Sequence, residues 1–296
     1  MLRKVVKLGG SYYIALPKNW VKAAGVKPGD YLEVRMRDTY ALEILLTSKS
    51  PPSPRVYRIE ENPWLEKSLM TAYLKGYEIV ELGIKTDRRR VVERIEKLQR
   101  LLIGFEIIEE REDRLVIQCF TRPGYNLKSL IARMDAISRE MYVDAAKSLV
   151  NGDSELAERV ISMDDRLDRL YFLTVREVRT RLLNPQTSGA ERLRLMDMRL
   201  LSRELEEIGD LSEAIARGTL ENGRASPDFY ENALSLSSLQ ERLVKAMLKG
   251  RLEDYSIVLR LDQVASSLSE KKPEPHILLL KTISEKIRDI ADLAPY

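Results

Sequence analysis

Cysteine and histidine are almost missing from this chain: 296 residues hold one of each, Cys119 and His276. A lone cysteine cannot close an internal disulfide, so stability must come from a packed core, and the composition fits a reducing compartment. One histidine excludes a His-based metal cage, and no Cys/His pair or Ser/His/Asp set is discernible. Oxygen ligands are then the remaining metal chemistry. Long apolar runs are absent too. No stretch approaches the roughly 20 residues of a membrane span, and the first residues form no signal-peptide core. There is no P-loop and no glycine-rich nucleotide motif. The expectation is a cytoplasmic protein that is neither an enzyme nor an integral membrane protein. A metal-assisted hydrolase is the enzyme class these absences leave open.

Charge, by contrast, is plentiful and nearly balanced, with 49 Lys and Arg against 46 Asp and Glu. Its distribution carries more than its sum. In the first 30 residues Arg3, Lys4, Lys7, Lys18, Lys22 and Lys27 face only Asp30, so the start of the chain is basic and the remainder mildly acidic. The length leaves room for at least two domains.

Residues 1–48 read as short strands around one short helix. Val5-Val6 opens a strand, Gly9-Gly10-Ser11 breaks it, and Tyr12 to Leu16 resumes before Pro17. Trp20 to Ala24 is helical and Gly25 ends it, and Tyr31 to Arg37 with Tyr40 to Leu46 makes a hairpin across Asp38-Thr39. So small a β unit cannot bury its own apolar face, which makes dimerisation the natural remedy. Arg3-Lys-Val-Val-Lys-Leu-Gly9, Tyr13-Ile-Ala-Leu-Pro17, Trp20 and Ala24-Gly-Val-Lys-Pro-Gly-Asp-Tyr-Leu-Glu-Val34 resemble the AbrB/MazE/SpoVT swapped-hairpin DNA-binding family. The resemblance implies a small β-barrel built from two interlocked chains. It also implies DNA contact by Arg3, Lys4 and Lys7 of the first strand and by Lys18 and Lys22 around the helix. Where family members often carry an arginine after the glycine and an arginine pair on the helix, this chain has Gly10-Ser11 and Val21-Lys22. Lysines suit phosphate contact better than bidentate reading of guanine. The plain alternative for these cations is ordinary solubilising charge on a dimerisation barrel.

Ser48-Lys-Ser-Pro-Pro-Ser-Pro54 reads as a linker, assigned to 49–54. Residues 55–121 alternate strand and helix patterns in the order βαβαββ, a small α/β domain. Arg88-Arg89-Arg90 opens its second helix; this run reads either as a contact for DNA or a phosphate-bearing ligand or as a solvated helix start.

From Asn126 onward the pattern is helical, in six segments near 126–151, 153–183, 189–221, 227–249, 252–270 and 275–293. Short loops between them imply antiparallel packing. The segments repeat: Lys147-Ser-Leu-Val-Asn-Gly152 aligns with Lys245-Ala-Met-Leu-Lys-Gly250, and Glu206, Asp210 are echoed 79 positions later by Glu285, Asp289. The two three-helix repeats are assigned to 126–223 and 226–296. Ile161-Ser-Met-Asp-Asp-Arg-Leu-Asp168 and Glu206-Glu-Ile-Gly-Asp210 resemble the PhoU family of phosphate-uptake regulators, which is built from two such repeats.

In that family, acid pairs spaced E/D-x-x-x-D gather metal ions, often iron or zinc. Asp164 with Asp168 and Glu206 with Asp210 fit the spacing, as does Glu285 with Asp289, whereas Leu261 and Ala265 stand where the second repeat should supply its other pair. Carboxylates at i and i+4 from two adjacent helices supply four oxygens to a hard or borderline cation; they are equally the pattern of a solvated face. The expected architecture is mostly α and multidomain: an AbrB-like β head, a small α/β domain and a PhoU-like helical tail. The function the resemblances imply is a homodimeric DNA-binding regulator tied to phosphate uptake, with a divalent metal or iron on the acidic faces. The alternative is an adaptor acting on a phosphate transporter or its signalling kinase through the tail, with the head serving only to dimerise.

Overall fold

The computed structural model describes residues 2–38, 40–46, 54–121, 124–184, 187–250, 254 and 256–293. Most of the proposed linker, up to Ser53, lies outside the described residues, as does the expected start of the fifth long helix at 252. The chain separates into two compact units, 1–53 and 54–296.

In the first unit, β1 (Val5–Leu8) and β2 (Ser11–Ile14) pair antiparallel, Val5 opposite Ile14 and Leu8 opposite Ser11. Gly9 takes the left-handed conformation (φ +58°) that this tight turn requires. Pro17 leads into α1 (Lys18–Ala24), which Gly25 stops at φ 65°. Then β3 (Leu32–Asp38) and β4 (Ala41–Leu46) form a second antiparallel pair with an irregularity between Met36 and Asp38. The resumed strand is shorter than the pattern predicts, ending at Ile14 instead of Leu16, because Pro17 has no N–H to continue a ladder. The two hairpins are separate two-stranded sheets. Their apolar side chains stay in water: Val5, Leu8, Tyr12, Val34, Met36 and Leu42 are between 59% and 77% exposed.

The second unit begins with an α/β layer: β5 (Val56–Glu60), α2 (Leu65–Leu74), β6 (Ile79–Gly83), α3 (Arg88–Leu101), β7 (Phe105–Glu110) and β8 (Arg114–Cys119). The sheet order is β5-β6-β8-β7, with β5 parallel to β6 and the other pairs antiparallel. Alternate strand residues Val80, Leu82, Leu115 and Ile117 meet Leu65, Leu69 and Tyr73 of α2 and Val91, Ile95 and Leu98 of α3 in one core. Period-2 strands and period-3.6 helices thus bury matching faces. Arg88, Arg89 and Arg90 are exposed at the start of α3, with Asp87 capping it through Arg89 N at 3.0 Å.

Six helices follow: α4 (Leu127–Asn151), α5 (Ser154–Leu183), α6 (Gly189–Leu220), α7 (Pro227–Lys249), α8 (Ser256–Ser269) and α9 (Pro275–Asp292). Their ends obey local chemistry. Asn126, Asp153 and Ser188 accept the orphan N–H groups of the first turns of α4, α5 and α6. Gly152 and Gly250 close α4 and α7 in left-handed conformation, and Pro227 and Pro275 start α7 and α9. The two triplets share a single core in which Tyr142, Leu167, Leu205 and Ile208 join Phe229, Leu236, Leu261, Ile283 and Ile287.

One side chain ties the bundle to the α/β layer. Arg176 of α5 is 5% exposed; its guanidinium donates to Tyr73 O, to Tyr77 O at 3.0 Å and to Thr121 Oγ1 at 3.1 Å, and it lies 4.8 Å from the centroid of the Tyr73 ring. Among the described residues no helix is long and apolar enough to cross a membrane.

Candidate functional site

The middle of α5 and the middle of α6 meet at a glycine. A Cβ on Gly209 would stand 2.3 Å from Leu167 Cδ2, so the buried Leu167 side chain is seated directly on the glycine and would have to shift for any larger residue. The same imaginary atom would lie 3.5 Å from Asp164 Oδ1. This close crossing crowds the acids of both helices. Asp164 and Asp168 come from α5, Glu206 and Asp210 from α6, and each carboxyl is shifted upward.

Burial is the first cause in all four. It is followed by repulsion from Asp168 and Asp210 at Asp164, which rises to about 7, and from Asp210 and Asp168 at Glu206, which also rises to about 7. Burial and then Asp210 raise Asp168 to about 6. Asp210 is raised by burial and then by Glu213 and Glu207. Asp165 adds to the field at Asp164 and Asp168. Asp164 Oδ1 is buried and accepts no hydrogen bond.

The neighbouring acids are neutralised. Glu207 holds Arg203 at 2.5 Å and Lys286 of α9 at 2.5 Å, Glu204 holds the same Lys286 at 3.2 Å, and Glu213 holds Arg217 at 2.5 Å. Among the described residues Asp164, Asp168, Glu206 and Asp210 form no ion pair. The four therefore make a patch of crowded carboxyls, relieved only in part by Arg203 near Glu206 and Asp210, and open to protons or to a cation with affinity for oxygen. As the side chains stand, no group of three acids, histidines or cysteines among the described residues is arranged to hold a metal ion. The donor type fits a hard or borderline cation, and the unpartnered Asp164 oxygen fits a missing positive charge.

The copy in the second triplet is different. Glu285 and Asp289 are exposed on α9, and Glu285 lies 4.0 Å from Lys281 on its own helix. Leu261 is buried in the core, Ala265 is half-buried, and Asp262 pairs with Arg288. Among the described residues no crowded acid patch forms there.

In the first unit, Arg3, Lys4, Lys7, Lys18 and Lys22 are all exposed. Strand register puts Lys7 opposite Tyr12, with Nζ 5.7 Å from the ring centroid. Lys18 and Lys22 stand at i and i+4 of α1 and so share a face. These cations remain available to phosphates.

Two features of the acid site escape sequence reasoning. Gly209 reads as a helix-weakening residue inside a motif, and its role as a contact point depends on Leu167 lying opposite. Asp165, next to a motif acid, contributes charge from outside the spacing pattern. The signal that could have found the glycine is its place between Glu206 and Asp210, mid-helix, where a glycine costs helix stability and calls for a packing reason.

Comparison with known proteins places these segments. Residues 131–219 match the family model of the PhoU domain, and residues 5–53 match that of the antidote-toxin recognition MazE bacterial antitoxin. A phosphate-specific transport system accessory protein PhoU from Serratia marcescens is 32% identical over 133 residues, 44% of this chain and 53% of that protein. A homolog of the same accessory protein from Rhizobium meliloti (strain 1021) is 28% identical over 160 residues, 54% of this chain and 65% of that protein. The chain thus spans between about half and two thirds of the length of these curated relatives. The crystal structure of PhoU from Pseudomonas aeruginosa superposes with TM-score 0.46 at 20% identity, covering 57% of this chain and 93% of that one. The acid patch lies within the PhoU match and the exposed basic residues from Lys7 onward within the MazE match. A MazE/AbrB-like strand-rich segment and a PhoU domain are therefore joined in one mostly helical chain.

Proposed function

We propose that a chain joining these two domains is a homodimeric, cytoplasmic, non-enzymatic regulator that binds DNA through its first unit and relays phosphate status through its helices. The observation that carries this reading is the pairing, in one polypeptide, of an exposed basic β unit matching MazE with a PhoU domain bearing a crowded acid patch. A two-fold pair of basic strands would release counterions from DNA phosphates and suit a roughly palindromic site. The apolar faces of both hairpins, left in water by one chain, would be covered by a second copy. The relatives named as phosphate-transport accessory proteins support the phosphate connection.

Asp164, Asp168, Glu206 and Asp210 would hold a divalent metal or iron, whose charge would relieve the repulsion among them. Glu285 and Asp289, exposed and partly ion-paired, are weaker ligands. Occupancy of the tail by an ion or partner would change the affinity of the paired heads for DNA, a coupling of two sites through one dimer.

The test is genome-wide occupancy of the intact protein. Enrichment at phosphate-transport promoters is expected, with affinity falling steeply as salt rises and weakened by Lys4→Ala and Lys7→Ala. Absence of enrichment anywhere would sink DNA regulation. Association with a phosphate transporter or its signalling kinase would then favour the adaptor reading, in which the exposed hairpins serve dimerisation alone. Coupling is tested separately: operator affinity unchanged by saturating metal or phosphate would remove it.

A further inference from the structure

Away from its acids, α5 carries charge of the other sign. Arg166 and Arg169, at i and i+3, line a groove of about 480 Å³ together with Arg133 of α4. Its apolar lining comes from the half-buried Ile137, Leu170 and Ile103. Ile103 lies in the turn between α3 and β7, so the groove runs along the seam of the bundle and the α/β layer. Among the described residues no carboxylate lines it.

The three guanidiniums hold no acid among the described residues. On the same two helices Arg139, Arg159 and Arg181 each grip an acid. Arg133, Arg166 and Arg169 grip none among the described residues, although Asp165 and Asp168 adjoin two of them in sequence. Asp168 is half-buried and feels Asp210 of α6, whereas the arginines line the groove with residues of α4. Three like charges around an apolar strip favour a ligand that brings at least two negative charges and an apolar or planar body. Guanidinium forks bind phosphoryl oxygens in pairs, and their planes stack on flat rings. The volume falls in the range of small-molecule sites.

We propose that this groove binds an organic phosphate of nucleotide size. The occupant touches Ile103 of the α/β layer and the arginines of the bundle together, which gives the α/β layer a part in ligand sensing. The site uses none of the acid-patch carboxylates and none of the cations of the first unit.

Calorimetric titration of the full chain with AMP, ATP, adenosine and inorganic phosphate tests it. AMP or ATP is expected to bind at least about tenfold more tightly than either adenosine or inorganic phosphate, since each of these supplies only one half of the contacts. The double variant Arg133→Gln/Arg169→Gln should lose about tenfold or more in AMP or ATP affinity, Arg166→Lys should lose less, and Lys4→Ala/Lys7→Ala, expected to weaken DNA binding, should leave the nucleotide affinity where it was. The arginines are exposed, so the variants should melt like the parent. Four results would each overturn the proposal: no phosphate ester binding below about 1 mM, binding that survives the double variant, binding that follows the Lys4/Lys7 variant, or equal affinity for an acidic peptide or for inorganic phosphate.

Discussion

Asp164, Asp168 and Glu206 hold protons more tightly in the folded chain than carboxyls ordinarily do, and the sign of the consequence follows. A folded value of about 7 for Asp164, against an ordinary 3.8, means that folding is favoured by protonation. That contribution is complete below about pH 4 and is lost as pH rises through 6 to 7. Metal-free protein is therefore expected to melt at lower temperature at pH 8 than at pH 5.5. Asp164→Asn should flatten the dependence and raise stability at pH 8 by about 1 kcal/mol, a figure reduced for partial solvent screening. Thermal melts across that pH range check both points. A divalent ion that binds the patch should raise the melting temperature more at pH 8 than at pH 6, because protons compete with it.

Gly209 offers a second test on a single atom. Adding a methyl group there drives it into Leu167, so Gly209→Ala should cost about 1–3 kcal/mol by overpacking despite alanine's better helix propensity. Shortening the obstacle with Leu167→Ala in the same chain should recover part of that loss. Urea unfolding of the single and double variants measures the coupling.

Among the elements, α5 does the most. Its middle carries the acids and the arginine groove, and its later turns carry Arg176, whose guanidinium spans the backbone of Tyr73 and Tyr77 and the hydroxyl of Thr121. Arg176→Ala takes the buried guanidinium from Tyr77 O and from Tyr73 O, which keeps the Gly76 N–H, and should destabilise the chain by about 3 kcal/mol. Lysine in its place cannot supply the planar fork and should rescue little. Protease protection of the α/β layer, compared with that of the bundle, reports whether the two layers loosen at this seam.

The helices were legible because their punctuation is chemical: Asn126, Asp153 and Ser188 cap, Gly152 and Gly250 stop, Pro227 and Pro275 start. The acid pairs were legible as spacing, since i and i+4 share a face in any helix. What spacing could not tell is which face meets another helix. Glu206 lies half-buried beside Asp168 of α5, whereas Glu285 and Asp289, identical in pattern to Glu206 and the exposed Asp210, look into solvent. Arg176 was invisible for the same reason, because an arginine in a charged helix reads as exposed until Tyr73 and Tyr77 are placed beside it. Arg133 is 33 residues from Arg166, so nothing local links them.

Taken as a full chain, the protein is divided between a unit that buries almost nothing and one with extensive cores. The proposed homodimer predicts that sedimentation will show self-association, and that a charge placed on the exposed hairpin face, as in Leu42→Lys, will shift the population toward single chains. The bundle should be indifferent to that change. Helical circular dichroism of the variant should therefore match the parent, which separates loss of assembly from loss of fold.

The thirty residues of α5 also set a limit on how this protein can change its length. Between Asp168 and Arg176 the helix is unbroken, and each added residue would turn everything beyond it by about 100°. One insertion there would leave the acids facing α6 while swinging Arg176 away from Tyr73 and Tyr77, with no residue substituted. Variation by substitution is open along α5, but variation by insertion or deletion is confined to its ends.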